Sequence, residues 1–507
     1  LSKAIVIGAG FGGMAAALRL RAHGFEVHLF DNQPQAGGRA GVYHKAGYTF
    51  DAGPTVITAP FLFDELFALF GKSRGDYVEF RELTPWYRIR FADGRTFDYG
   101  GEDRQLVERV REFSPSDVEG YKALLLQVEK IYKIGFEQLG SAPFHSAAKM
   151  LAILPQMIAL RSDRSVYSFV SKYIRDESLR RVFTFQPLLV GGNPFHTTSI
   201  YALIQHLERK DGVSFAMGGT AALVAAMTRL MVDEGIHLRL GCGVREIQIE
   251  DGRATGVHLD NGESVAADCV IANADAPSVY RRLIAPKWRR KWTDARIRRQ
   301  KFSMGLFVLY LGVGKRFPAL AHHTILLGRR YKALLKDIFE EKLLSDDISL
   351  YLHAPTRTDA SLAPEGCESL YALVPVPNLE CLNPKEAIDW STAGPKLAER
   401  TLDLLEETVC PGIREHLQVQ FHVTPEHFRD VLRTEHGTGF SIQPTLLQSA
   451  WFRFHNRSED VKGLYLVGAG THPGAGLPGV LCSAKVLEHY FDEMTAHTRH
   501  GVPAWTS

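Results

Sequence analysis

Residues 4–13 read Ala4-Ile5-Val6-Ile7-Gly8-Ala9-Gly10-Phe11-Gly12-Gly13, and the order of these residue types decides the fold. The apolar, β-branched run predicts a buried strand, and the Ala/Leu-rich residues 14–23 after the glycines predict a helix with Gly24 as its C-terminal cap. Glycines between a strand and a helix let the backbone approach a pyrophosphate, whose charge is met by unpaired N–H groups at the helix N-terminus. The next apolar run, Val27-His28-Leu29-Phe30, ends in Asp31. That carboxylate lies about 20 residues on, where it can accept hydrogen bonds from a ribose diol. A GxGxxG alone is a weak signal. With strand, helix and acid in register, it points to a bound dinucleotide rather than to a structural turn.

Two further segments narrow the choice of dinucleotide. Gly37-Gly38-Arg39 offers a planar donor fork beside glycines that admit close backbone contact with a phosphate. Near the other end, Leu464-Tyr465-Leu466-Val467 runs into a second glycine-rich turn, Gly468-Ala469-Gly470-Thr471-His472-Pro473-Gly474-Ala475-Gly476. Two such turns suggest one cofactor held by both ends of the chain.

On these residues the chain resembles the flavin-dependent amine oxidase and carotenoid desaturase superfamily, in which a GGR segment after the second strand runs beside FAD. Residues 50–58, 188–195, 349–355 and 464–480 resemble bacterial phytoene desaturases in particular, so the likeness extends from residue 4 to about residue 490. One departure is Asp31, where the superfamily usually carries Glu; the shorter carboxylate can still bind ribose.

The resemblance implies an α/β fold: a Rossmann-like FAD-binding domain (1–70, 212–290 and 446–495), a mixed-sheet substrate domain (71–113 and 302–445) and a helical membrane-facing cap (114–211). It assigns Gly8, Ala9, Gly10, Gly12, Gly13 and Asp31 to the ADP half of FAD and Gly38 and Arg39 to the pyrophosphate and flavin approach. Thr55, Val244, Gly470, Gly479 and Val480 complete the cofactor set, with Val244 at the adenine. The catalytic residue is unassigned; His472, in the second glycine turn, is the candidate, either touching a reacting hydrogen or bracing the loop. His322, His323 and Cys367 resemble family positions without an assigned role, and because adjacent residues rarely direct both rings to one ion, no metal is expected.

The chemistry implied is desaturation of phytoene, a long linear polyene, to neurosporene or lycopene, with a hydride passing to FAD and a proton leaving the neighbouring carbon. The cofactor carries the hard step while the protein aligns the chain in a dry site. With no second nucleotide fingerprint and no iron–sulfur cysteine set, quinone or oxygen is the expected electron acceptor. Alternatives are a related desaturase acting on a hydroxylated or shorter (diapo) carotenoid, an isomerase or amine oxidase, and an escort of prenylated or lipid partners that dispenses with the flavin residues.

Composition agrees with a large globular enzyme. The 507 residues exceed one ordinary core. A net charge of +2 does not indicate nucleic acid, and the six cysteines show neither a CxxC pair nor metal spacing, so reduced thiols are expected. The first strand starts at residue 4, so no signal peptide is expected, and the missing initiator Met indicates trimmed numbering. No run of about 18 apolar residues exists to span a bilayer. Two segments nevertheless suit a membrane surface: the apolar residues 150–160 between Lys149 and Arg161, and residues 281–301, with ten Lys or Arg, one acid (Asp294), Trp288 and Trp292. Peripheral attachment to the cytoplasmic side of the inner membrane is the expected location.

From residue 218 a helix is expected to about Gly235, burying Leu223, Ala226, Met227, Leu230 and Met231. Asp251-Gly252 and Asn261-Gly262 predict hairpins, residues 268–275 a strand that rejoins the parallel sheet, and residues 114–120 a capped helix start.

Overall fold

The computed structural model describes residues 1–145, 147–381 and 387–496. A five-stranded parallel sheet runs in the order Leu464–Leu466, Cys269–Ala272, Lys3–Ile7, Glu26–Phe30, His237–Arg239. Lys3–Ile7 is the middle strand and is covered on both faces, which is why its apolar run is unbroken. Ala4 and Val6 join one core cluster and Ile5 and Ile7 the other, as the two-residue period of a strand requires. The first helix spans Phe11–Ala22, three residues earlier than predicted, because Gly12 and Gly13 themselves form its opening turn. It packs on the helices Gly219–Asp233 and Leu477–Lys485.

The helix Gly219–Asp233 buries the five predicted residues. The two predicted hairpins build a three-stranded antiparallel sheet, with Asp251, Gly252 and Gly262 at positive φ in the turns. Cys269–Ala272 then pairs in parallel with Lys3–Ile7, as expected.

A second, seven-stranded mixed sheet runs in the order Leu417–Val423, Gly305–Val313, Glu368–Val376, Leu350–His353, His323–Leu326, Tyr87–Arg90, Thr96–Tyr99. Its one parallel pairing joins His323–Leu326 to Tyr87–Arg90. Helices Asp103–Phe113, Val118–Tyr132 and Leu203–Asp211 pack on one another beside it. Cys242, Cys269, Cys367, Cys410 and Cys482 are free thiols.

Two local expectations are corrected. Pro115–Asp117 form a 3-10 turn leading into Val118–Tyr132, and no side chain caps that helix. The buried Asp117 instead accepts the backbone N–H groups of Arg175 (2.7 Å) and Asp176 (2.8 Å), so a tertiary partner has replaced the local cap. Trp292 does not face solvent: it is 1% exposed, stacks on Phe454 at 3.8 Å, and donates its indole N–H to Glu459. Trp288 is half-buried.

The fully buried Glu208 accepts hydrogen bonds from Tyr87 Oη (2.9 Å) and Gln186 Nε2 (3.4 Å). Burial raises its pKa to about 7. The unfolded chain releases this proton near pH 4.3, so between those values the folded state holds more protons and stability falls as pH rises. Glu208→Gln is expected to remove a pH-dependent loss on the order of 3 kcal/mol, flattening the denaturation midpoint between pH 4.5 and 7.5; an unchanged slope would refute this.

Candidate functional site

The carboxyl ends of Lys3–Ile7, Cys269–Ala272 and Leu464–Leu466 meet at one rim of the parallel sheet, where ligands of open α/β sheets bind. The first glycine turn is packed there without room for side chains. A Cβ on Gly13 would lie 1.9 Å from the Gly8 carbonyl, and one on Gly12 would lie 2.5 Å from Asn273 Oδ1 and 3.3 Å from Gly468 Cα. Gly10 caps the helix Phe11–Ala22 without a side-chain bond, and the first turn carries no acid, so its N–H groups suit an anion. Gly37 N–H donates to Ala9 O (2.8 Å), which fastens the second glycine loop beside the first.

Asp31 stands at the end of the neighbouring strand. Its Oδ2 accepts Ala9 N–H (2.7 Å) and its Oδ1 accepts Gln33 N–H (2.8 Å). Burial raises its pKa against those two donors. Arg39 Nε and Nη2 are buried without hydrogen-bond partners. Burial lowers the pKa of this guanidinium, opposed by the charge of Asp275, whose Oδ1 is also buried and unpartnered. Donors and acceptors lacking protein partners are what a polar ligand would satisfy.

The second glycine turn closes the same cavity. Arg453, 1% exposed, donates to the carbonyls of Ala469 (2.6 Å) and Thr471 (3.0 Å), while Asn456 Nδ2 donates to those of Leu466, His472 and Ser483. Gly476 then starts the helix Leu477–Lys485 with its N-terminus at the cavity.

The cavity does not end at this polar cradle. It continues along Leu188, Met304, Leu306, Ile325, Leu334 and Ile338 to Met150, Ile153 and Met157 on the helix Ala147–Ala159. A polar strip interrupts the aliphatic wall where Thr55 Oγ1 lies 2.9 Å from both Tyr351 Oη and Tyr371 Oη.

Of the residues expected from sequence, Gly8, Gly10, Gly12, Asp31, Gly38, Arg39, Thr55, Val244, His472, Gly479 and Val480 line this cavity. Ala9, Gly13 and Gly470 stand behind its wall, where they permit the close packing. His472 Nε2 donates to the Leu139 carbonyl (3.0 Å) and its ring meets Phe144 edge-on, while the residue also lines the cavity. Cys367 is buried outside the wall. His322 and His323 do not diverge as adjacent strand residues would; their ring centroids are 4.6 Å apart because His322 precedes the strand His323–Leu326. Sequence reasoning missed Asn273, Asp275 and Arg453. The first two follow directly on a strand of the parallel sheet, a position that could have marked them; Arg453 carries no local signal.

The flavin-containing amine oxidoreductase family model matches residues 11–363. The lycopene-forming phytoene desaturase of Pseudescherichia vulneris is 47% identical over 96% of this chain and 98% of its own length. The neurosporene-forming phytoene desaturase of Rhodobacter capsulatus is 42% identical over 96% and 93%. An oxidoreductase structure from Methanosarcina mazei superposes with a TM-score of 0.62 at 18% identity, covering 96% of this chain and all of that one, a likeness of fold. The chain belongs to the flavin-containing amine oxidoreductase family and, within it, to the group of the bacterial phytoene desaturases.

A flavin dinucleotide fits the cradle. Asp31 would take the ribose, the Phe11–Ala22 N-terminus and Arg39 the phosphates, and the 468–480 turn the far end. Asp31→Asn is expected to weaken flavin retention roughly 10- to 100-fold, the loss of a charged hydrogen bond. Gly12→Ala should leave the purified protein without flavin. Absorbance of bound flavin after gel filtration tests both, and full retention by either variant would contradict the assignment.

Proposed function

We propose that this chain is an FAD-dependent carotenoid desaturase that takes phytoene and removes hydrogen pairs in succession, giving products such as neurosporene or lycopene. The observation that carries this reading is the single cavity joining a polar dinucleotide cradle to a long aliphatic wall. A small charged amine would be desolvated along that wall without compensation, whereas a long hydrocarbon gains from each methylene buried. The lycopene-forming and neurosporene-forming relatives support the same substrate class.

In this reading residues 1–70, 212–290 and 446–495 form a Rossmann-like FAD domain, 71–113 and 302–445 the substrate domain, and 114–211 the cap. FAD bound in the cradle would supply the two-electron acceptor for hydrogen leaving the substrate carbon. The protein's own part is placement. Asp31 and Arg39 anchor the polar ligand at one end, the aliphatic wall excludes water and restricts the hydrocarbon to motion along its length, and Arg453 and Asn456 hold the 468–480 turn rigid. Quinone or oxygen would take the electrons onward.

The helix Ala147–Ala159 supports entry from a membrane. Met150, Ile153 and Met157 face the cavity, while Leu151 (67%), Leu154 (41%) and Ile158 (66%) are exposed. The segment just after this helix is tied to the 444–450 loop: Thr198 Oγ1 donates to Ser162 O, and Thr197 bridges Thr445. Leu447 on that loop is 69% exposed. The exposed Lys287, Arg290, Arg298, Arg299 and Lys301 suit anionic headgroups. The side chain of Lys149, expected to flank the helix, lies outside the described residues. No described helix is long and apolar enough to cross a membrane, and we place the protein peripherally on the cytoplasmic side of the inner membrane.

Mixed with FAD and phytoene-loaded liposomes, the protein should generate coloured polyenes, with chromatography counting the desaturation steps. No colour despite bound flavin and added quinone would reject phytoene as substrate. Leu151→Glu with Ile158→Glu should reduce flotation with anionic liposomes at least roughly tenfold, since each lost side chain forfeits about 1.5–3 kcal/mol of burial, while flavin content stays constant; undiminished flotation would reject the docking face.

A further inference from the structure

We propose that His322, His323 and His353, with the carboxylate of Asp51, form a site for a divalent transition-metal ion, best suited to zinc, that staples the seven-stranded sheet to the flavin cradle. Five polar atoms are buried here without hydrogen-bond partners: His322 Nε2, His323 Nε2, both ring nitrogens of His353, and Asp51 Oδ2. None of the four residues is more than 5% exposed. Buried polar atoms are almost always paired, and a group of orphans at one place is what a bound ion would satisfy.

The geometry favours a cation. The three imidazoles offer one nitrogen each within 4.8 Å of one another, and Asp51 Oδ2 lies 3.6 Å from His353 Nε2. Zinc bonds nitrogen at about 2.0–2.1 Å, so binding would draw the rings slightly inward. Backbone register brings the groups together: His323 lies directly opposite His353 in the antiparallel pair, and the His322 ring meets that of His353 at 4.9 Å.

Outer partners set the nitrogens for this role. His322 Nδ1 lies 2.6 Å from Thr358 Oγ1 and His323 Nδ1 lies 2.5 Å from Tyr351 Oη. Both hydroxyl oxygens can accept an Nδ1–H, which leaves the lone pair on Nε2, the usual arrangement around a metal-bound histidine. Neutral imidazoles with one carboxylate match zinc and neighbouring ions rather than calcium or magnesium.

The role is structural, because none of the three histidines lines the cavity. Asp51 ends the strand Tyr48–Asp51, and its Oδ1 also accepts Thr220 N–H (2.8 Å) at the start of the helix Gly219–Asp233. An ion shared with His322, His323 and His353 would therefore join that helix to two strands of the substrate sheet.

The test is independent of the desaturase reading. Flavin-loaded protein, purified without a histidine tag from zinc-supplemented cells, is analysed for metal by mass spectrometry and for zinc ligation by X-ray absorption. About one zinc per chain is expected, with an imidazole-rich shell at about 2.0–2.1 Å. His353→Asn should lower zinc to background while flavin is retained. Background metal in the parent after zinc reconstitution, a shell without imidazole, or equal zinc in a folded His353→Asn variant would each overturn the proposal. The absorption spectrum of the parent decides the matter even if the variant fails to fold.

Discussion

The two glycine turns meet around Asn273, and the rest of the site depends on that contact. Asn273 Nδ2 donates to the Gly8 carbonyl, and its Oδ1 occupies the space a Cβ on Gly12 or Gly468 would need. Three neighbouring strands can therefore end at one rim with their backbones nearly touching. The N-termini of the helices Phe11–Ala22 and Leu477–Lys485 open onto the same cavity, and unpaired N–H groups at such ends suit an anion.

That packing leaves charges in a dry place. Burial opposes ionisation of Arg39 and Asp31, and Arg39 and Asp275 each keep polar atoms with no protein partner. Such an arrangement costs folding free energy unless a ligand completes it. A bound dinucleotide thus completes the fold as well as the site, and mass action makes it stabilise the native state. Beyond the cradle, the wall turns aliphatic within the same cavity, so one space imposes a polar anchor at one end and a hydrocarbon environment at the other.

Other buried polar groups follow a different logic from Arg39 and Asp275. Glu208 is matched by Tyr87 and Gln186, and Arg453 by backbone carbonyls; both are satisfied within the protein and fix neighbouring segments. The histidine group near Asp51, as deeply buried, keeps five polar atoms without a partner, although His322 and His323 each engage Nδ1. What distinguishes that cluster is that its unpartnered atoms lie close together.

Sequence by itself determined the local parts: the strand, glycine turn and helix at the start, Asp31 at the end of the next strand, the hairpins at Asp251-Gly252 and Asn261-Gly262, and the apolar face of Gly219–Asp233. Each is specified by short-range rules of backbone freedom and hydrophobic period, which residues a few positions apart can express. The tertiary structure alone decided what lies between those parts. Asn273 gains its role only when strands more than 190 residues apart pair in parallel. Trp292 looked like a surface anchor beside its basic neighbours until Phe454 and Glu459 were brought against it. His353 joins His322 and His323 only through the register of two antiparallel strands. Contacts of this kind leave no local pattern, because the partner that gives a side chain its environment lies far along the chain and is chosen by the packing of whole sheets.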